Sequence, residues 1–138
     1  MNRPAGYSGT LLSKKLGIKP GMTVALMGAP REFAEMLGEL PDGARLSAGT
    51  RGRAGLRIWF VRREAELAAG IARAALLAAE SPVWIAWRKK TALSAPGSGP
   101  DENAVRNAGL EAGLVDYKVC AIDETWSGLL FARRRTPV

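Results

Sequence analysis

Apolar residues in this chain fall into short runs, and the longest runs predict strands that are covered on both faces. The run Val83-Trp84-Ile85-Ala86-Trp87 follows Pro82 and continues without a polar residue until Arg88. Unbroken runs of this length are typical of inner strands of a parallel sheet, whereas strands with one face in solvent alternate. The run therefore predicts a central strand. We expect Trp84 and Trp87 on its opposite faces, because their positions differ by an odd number.

The remaining elements follow from the same kind of pattern. Other strands are predicted at 23–27, 44–47, 56–61, 114–122 and 129–133. Helices are predicted at 10–16, 31–37, 64–80 and 101–112, with the clearest periodicity in 64–80. Asp101 is expected to cap the last helix, and Gly113 to end it.

Strands and helices alternate along the chain, and this order predicts an α/β fold. We expect a mostly parallel sheet with helices on both faces and a C-terminal antiparallel hairpin. The length of 138 residues, without an internal repeat, indicates a single domain spanning 1–138. Within it, 1–9 is interpreted as a loose arm, 91–100 as a flexible loop and 134–138 as a frayed tail.

The composition excludes several chemistries. The chain has no histidine and one cysteine, Cys120. These counts exclude Ser-His-Asp and Cys-His arrangements and a tetrahedral zinc site of the usual ligands. Any remaining chemistry must use carboxylates, lysine, tyrosine, serine or a borrowed cofactor. We name no catalytic residue, no metal site and no cofactor. The lone cysteine, the lack of an apolar N-terminal segment and the absence of a run near ~20 apolar residues favour a cytoplasmic protein that does not enter a membrane.

The net charge of +7 is unevenly distributed. Six arginines and no acidic residue lie between Ala44 and Arg63. Such a balance favours anionic partners: a small anion, an acidic protein or nucleic acid. The alternative interpretation is a solvated surface in a protein rich in arginine and alanine.

Charged residues follow the predicted parallel strands at the point where each strand ends. Because right-handed crossovers bring these ends to one rim of the sheet, the residues are expected to lie together. If 114–122 runs parallel to the other strands, two acids and a following tryptophan join the same rim. The candidate ligand-binding residues are Arg31, Arg62, Arg63, Arg88, Lys89, Lys90, Asp123, Glu124 and Trp126.

Simpler interpretations of the same residues remain open. Strand exits are exposed in any α/β fold, so charged residues there need no ligand. Asp123 and Glu124 are adjacent, which argues against a working acid–base pair, and they are expected to pair with Arg88 or its neighbouring lysines. Trp126 either stacks on a ligand ring or covers the edge of the sheet as an apolar plug.

The first strand and its flanks have the sequence Lys19-Pro20-Gly21-Met22-Thr23-Val24-Ala25-Leu26-Met27-Gly28-Ala29-Pro30. This segment resembles the first strand and loop of S-adenosylmethionine-dependent methyltransferases, and the closing strand, helix, strand and hairpin order resembles the end of that fold. The family's first loop has several glycines and an acid ends its second strand. This chain has only Gly28 in that loop, followed by Pro30, and no acid from Ala44 to Arg63. The resemblance therefore implies a trimmed Rossmann-like fold in which the usual cofactor site is lost.

The start Gly6-Tyr7-Ser8-Gly9 and the turn Asp123-Glu124-Thr125-Trp126-Ser127-Gly128 also resemble an uncharacterised family of small bacterial proteins. That resemblance implies the fold and no activity. Three functions are compatible with the sequence. The first is a non-catalytic module that binds an anionic ligand or an acidic partner at the basic rim. The others are an enzyme on a remodelled methyltransferase-like scaffold and a nucleic-acid-binding protein that uses the arginines from Arg45 to Arg63 and the tail.

Overall fold

The computed structural model of the chain describes residues 11–49, 52–90 and 99–134. Its strands are β1 (Thr23–Met27), β2 (Arg45–Ala48), β3 (Leu56–Phe60), β4 (Val83–Arg88), β5 (Leu114–Ala121) and β6 (Trp126–Arg133). Its helices are α1 (Leu12–Leu16), α2 (Phe33–Leu37), α3 (Glu64–Leu77) and α4 (Glu102–Glu111). The predicted arm at 1–9, and most of the predicted loop and tail at 91–98 and 135–138, lie outside the described residues.

The six strands form one sheet in the order β2-β1-β3-β4-β6-β5. β1 pairs in parallel with β2 and β3, and β3 pairs in parallel with β4. β6 lies antiparallel between β4 and β5, so β5 runs in the same direction as the parallel strands. The predicted fold, a mostly parallel sheet with an antiparallel C-terminal hairpin, is confirmed. The condition that brings Asp123 and Glu124 to the shared rim is met.

Helices cover both faces of the sheet, each over its own apolar cluster. Leu16 of α1 and Phe33 of α2 pack in the cluster that contains Trp84. Leu67 of α3 and Val105 of α4 pack in the cluster on the other face, which contains Trp87. The expectation that Trp84 and Trp87 lie on opposite faces of one buried strand is confirmed, since they are 0% and 5% exposed.

Two helix glycines allow the second pair of helices to lie close to the sheet. A Cβ atom on Gly70 of α3 would lie 2.6 Å from the ring of Trp59. A Cβ atom on Gly109 of α4 would lie 2.4 Å from Cε1 of Phe131. Glycine lowers the helix propensity at these two positions, but it lets each helix contact an aromatic ring of the sheet closely. This contact accounts for the glycine inside the predicted helix 64–80.

Side-chain hydrogen bonds to the backbone fix the ends of several elements. The Asp101 carboxylate accepts from the N–H of Ala104 at 2.8 Å, so Asp101 caps α4 as predicted. Asp123 Oδ1 accepts from the backbone N–H groups of Thr125 and Trp126 at 2.8 and 2.7 Å. The resulting turn is tight, and β6 therefore begins at Trp126 instead of the predicted 129.

Candidate functional site

The carboxyl rim is the edge of the sheet at which β1, β3, β4 and β5 end. All nine predicted ligand-binding residues lie on it or in the loops that follow those strands. The structure joins four of them directly, since Asp123 Oδ1 accepts from the backbone N–H of Trp126 at 2.7 Å. Arg62 contacts Trp126, and Nη2 of Arg88 donates to the carbonyl oxygen of Arg62 at 3.4 Å. Arg31 and Glu124 are exposed and make no such contact within the described parts of the chain.

The strand order reverses between β1 and β3, because the chain leaves β1 for β2 on one side and returns to β3 on the other. Open α/β sheets bind ligands in the crevice at this switch point. Here the side chain of Arg62 spans the crevice, and its Nη1 atom donates to the carbonyl oxygen of Gly28 at 2.7 Å. The chain's own guanidinium thus occupies the place where a ligand would approach the first loop.

The guanidinium of Arg62 lies over the ring of Trp126 in a cation–π contact. The Cζ atom of Arg62 lies 5.2 Å from the centroid of the Trp126 ring. The ring packs edge to face on Phe60, with centroids 5.1 Å apart, and Phe60 packs in turn on Phe33. Trp126 is 4% exposed, so in this conformation its ring covers the sheet edge and is not open to stacking with a ligand.

A second opening on the rim, which we call the rim cleft, lies at the end of β4. It has a volume of about 890 Å³. Its lining comes mainly from two elements, the end of β4 and the start of α4. The lining residues are Trp87, Arg88, Lys89, Lys90, Gly99, Pro100, Asp101, Glu102, Asn103 and Ser127.

The cations of the rim cleft have no acidic partner in the described structure. The ion pairs found there are Arg57–Glu80, Arg106–Glu102 and Arg106–Asp116, and none includes Arg88, Lys89 or Lys90. The Nε atom of Arg88 is buried and has no acceptor among the described residues. Such a group is uncommon in folded proteins and calls for an explanation.

The expected pairing of Asp123 or Glu124 with these cations is wrong for the part of the chain that the structure describes. The Asp123 carboxylate is used by the backbone of its own turn, where it accepts two N–H groups. The two carboxylates do lie on the predicted rim. The turn itself, however, needs a hydrogen-bond acceptor, and an aspartate side chain provides one for the N–H groups two and three residues further along the chain.

The basic stretch from Ala44 to Arg63 does not form one surface. Arg57 is 1% exposed near the start of β3, at the opposite edge of the sheet from the rim. Its guanidinium donates to the Gly52 carbonyl at 3.0 Å and lies 3.4 Å from the Glu80 carboxylate. Arg45 begins β2 at that same amino edge, whereas Arg62 and Arg63 follow β3 at the carboxyl rim.

Other chemistry-bearing groups are few. In the ranges that the structure describes, no three His, Cys, Asp or Glu side chains cluster so that they could hold a metal ion. Cys120 is 7% exposed, and burial raises the pKa of its thiol. Within the same ranges, every helix is too short or too polar to cross a membrane.

No protein-family model matches the sequence, and no curated protein matches it. Several solved structures have a similar fold. A putative type 11 methyltransferase from Sulfolobus solfataricus superposes with a TM-score of 0.56 at 12% identity, over 83% of this chain and 85% of that one. A SAM-dependent methyltransferase from Aquifex aeolicus gives 0.54 at 15% identity, over 87% and 86%.

Magnesium protoporphyrin IX methyltransferase from Synechocystis, solved with bound SAH, gives a TM-score of 0.50 at 9% identity, over 88% of this chain and 78% of that one. Identities this low establish a shared architecture and nothing about activity. The chain has the Rossmann-like fold of the S-adenosylmethionine-dependent methyltransferases.

Proposed function

We propose that this protein is a non-catalytic α/β module that binds a small anionic ligand in the rim cleft. One observation carries the proposal: Arg88, Lys89 and Lys90 line an open cleft at the carboxyl rim without an ion-pair partner in the described structure. Cations held close together repel one another, so an anion bound between them stabilises the fold. A concave opening favours a small molecule over an acidic protein as the occupant.

The contacts of Arg62 support a binding site in the rim cleft, away from the switch point between β1 and β3. The Gly28 carbonyl accepts from Arg62, and Pro30 lacks an N–H donor, so the first loop offers little to a phosphate or a ribose. No acid follows β2 to hold ribose hydroxyls, since 44–63 contains none. The rim cleft, by contrast, lies beside β4 and is lined by charged and polar side chains.

A thermal-unfolding series in chloride, sulfate and phosphate at equal ionic strength tests the proposal. Sulfate and phosphate should stabilise the parent protein beyond the general effect of excluded salts. An anion at ten times its Kd adds about 1.4 kcal/mol by mass action. The double variant Lys89→Ala, Lys90→Ala should lose this increment.

The control removes the same charge elsewhere. Lys14 and Lys19 are exposed and lie away from the rim cleft, so the variant Lys14→Ala, Lys19→Ala should keep the full response to sulfate. If the Lys89, Lys90 variant responds to sulfate as the parent does, the rim lysines are solvated surface charges and the proposal fails.

An enzyme on a remodelled scaffold is the second candidate, favoured by the fold that this chain shares with methyltransferases. Stabilisation by S-adenosylmethionine or its demethylated product would support it, and the absence of a shift with either would count against it. The nucleic-acid interpretation loses support from the separation of Arg45 and Arg57 from Arg62 and Arg63. A shift with an oligonucleotide larger than the shift with phosphate would restore it.

We also propose that the chain belongs to the small bacterial family that it resembles and that it works in the cytoplasm. Asp123 binds the backbone of its turn, Trp126 is buried, and a Cβ on Gly128 would lie 3.2 Å from Trp84. Three residues of that turn, Asp123, Trp126 and Gly128, therefore have a structural reason. Variation of Asp123 and Gly128 to bulky residues among close homologues would contradict the assignment, and recovery of the protein in membrane fractions would contradict the location.

A further inference from the structure

The rim cleft is lined by carboxylates as well as by cations. Asp101 and Glu102, both exposed, line it from the start of α4. Each carboxylate uses one oxygen within its own helix. Asp101 Oδ1 accepts from the N–H of Ala104, and Glu102 Oε2 accepts from Arg106 Nη2, both at 2.8 Å. Asp101 Oδ2 and Glu102 Oε1 have no protein donor in the described ranges, so each acid keeps an oxygen for another group.

Opposite charges line this cleft without contacting one another. No ion pair within 4.0 Å joins Lys89 or Lys90 to Asp101 or Glu102 in the structure as described. Lys89 is instead fixed through its backbone, since its N–H donates to the Thr125 carbonyl at 2.8 Å. The lysines follow the end of β4, whereas the carboxylates lie at the start of α4, and no ion pair joins the two sets.

This separation of charge restricts the ligands that fit. A simple anion at the lysines also meets the field of the two carboxylates, which opposes it. A simple cation at the carboxylates meets the field of the lysines. A molecule with both charges satisfies both groups at once, as electrostatic complementarity requires. Asn103 and Ser127, which also line the cleft, offer neutral hydrogen-bonding groups.

We propose that the ligand of the rim cleft is a small zwitterion, with a phosphate or carboxylate held by Lys89 and Lys90 and a primary ammonium held by Asp101 and Glu102. The proposal rests on the proposed function, because it takes the anion site at the lysines as given. It adds the class of the ligand and a role for the start of α4. Nothing is transferred in this binding, and no bond is formed or broken.

Isothermal titration with two probes of equal size tests it. O-phosphoethanolamine carries a phosphate and an ammonium, and n-propyl phosphate carries the same phosphate with a methyl group in place of the ammonium. The parent protein should bind the aminophosphate about fivefold more tightly, the value of one partly exposed ion pair. The variant Asp101→Asn, Glu102→Gln should bind both probes equally.

The variant is chosen to preserve the fold. Asparagine caps helices as well as aspartate does, and Arg106 keeps its ion pair with Asp116 when Glu102 loses its charge. The control Asp42→Asn, Glu111→Gln removes two exposed carboxylates outside the rim cleft and should keep the fivefold preference.

The outcomes separate the two proposals. If the parent binds both probes with equal affinity, the zwitterion proposal is overturned while the anion site stands. If the parent binds neither probe, the anion site falls and the zwitterion proposal falls with it. A preference that persists in the Asp101, Glu102 variant also overturns the zwitterion proposal, because the ammonium is then held elsewhere.

Discussion

Nη1 of Arg62 donates a 2.7 Å hydrogen bond to the carbonyl oxygen of Gly28, and this bond joins the two strands between which the strand order reverses. The guanidinium lies over Trp126 of β6, and the Arg62 carbonyl accepts from Arg88 of β4. The side chain and the backbone carbonyl of Arg62 thus connect β1, β3, β4 and β6 at the carboxyl rim. The rim position that a doubly wound sheet offers to ligands is used here for internal contacts.

Intact S-adenosylmethionine should not bind this chain in the low-micromolar range. The Gly28 carbonyl is occupied by Arg62, the first loop has one glycine, and no acid follows β2. Isothermal titration of the parent protein measures the affinity directly. The variant Arg62→Ala should also fail to bind, because removal of the side chain opens the crevice without supplying the acid. Low-micromolar binding to the parent would show that Arg62 moves aside and that the site is retained.

The contacts of Arg62 should also contribute to the free energy of unfolding. Arg62→Ala removes a hydrogen bond and a cation–π contact, and we expect a loss of roughly 1–2 kcal/mol in the free energy of unfolding. Arg31→Ala, at an exposed rim position with no such contact, should change it by less than about 0.5 kcal/mol. Urea denaturation measures both values, and equal effects would mean that Arg62 is only a surface charge.

Gly109→Ala should destabilise the protein although alanine is the better helix former. The new methyl group would lie 2.4 Å from Phe131, whose side chain is fully buried. Overpacking of about 1–3 kcal/mol exceeds the propensity gain of about 1 kcal/mol, so urea denaturation should show a net loss.

A double variant provides the control for Gly109. In the background Phe131→Leu, the space near α4 is larger and the change Gly109→Ala should become neutral or stabilising. A stabilising effect of Gly109→Ala in the parent background would contradict the close packing of α4 on the sheet.

Apolar runs predicted the inner strands of the sheet, because a strand that is buried on both faces carries few polar residues. The opposite faces of Trp84 and Trp87 and the shared rim of Arg62 and Arg88 follow from period and direction alone. These properties depend on local sequence and on the handedness of crossovers, which general rules supply.

Contacts between distant segments could not be predicted in the same way. Arg57 reads in the sequence as part of a basic stretch, yet it is buried beside Glu80, and the turn between α3 and β4 determines that pairing. The position of Arg57 within the apolar run 56–60 is the feature of the sequence that indicates its burial. The sequence predicts Asp101 as the cap of the last helix and Glu102 as a residue of that helix. Only the position of α4 against β4 brings the two carboxylates to the rim cleft.

Cys120 should react slowly with iodoacetamide in the folded protein at pH 8. Burial in the sheet raises the pKa of its thiol, and the nearby Lys15, Lys118 and Lys89 offset this only in part. The thiolate is the reactive form, so a raised pKa and a buried sulfur both lower the rate. The same protein unfolded in urea should react at the rate of a free cysteine, and a folded rate equal to the unfolded one would show that the thiol is accessible.

The raised pKa of Cys120 also sets the sign of a pH effect. The unfolded chain loses the thiol proton at a lower pH than the folded chain does, so alkaline conditions favour unfolding. The stability of the fold that depends on the protonated thiol is fully present below the unfolded pKa. It is lost as the pH rises through the folded pKa. The unfolding free energy of the parent should therefore fall more steeply between about pH 8 and pH 10 than that of Cys120→Ala, which has no thiol to titrate. Urea denaturation across this range compares the two, and parallel curves would mean that folding leaves the thiol pKa unchanged.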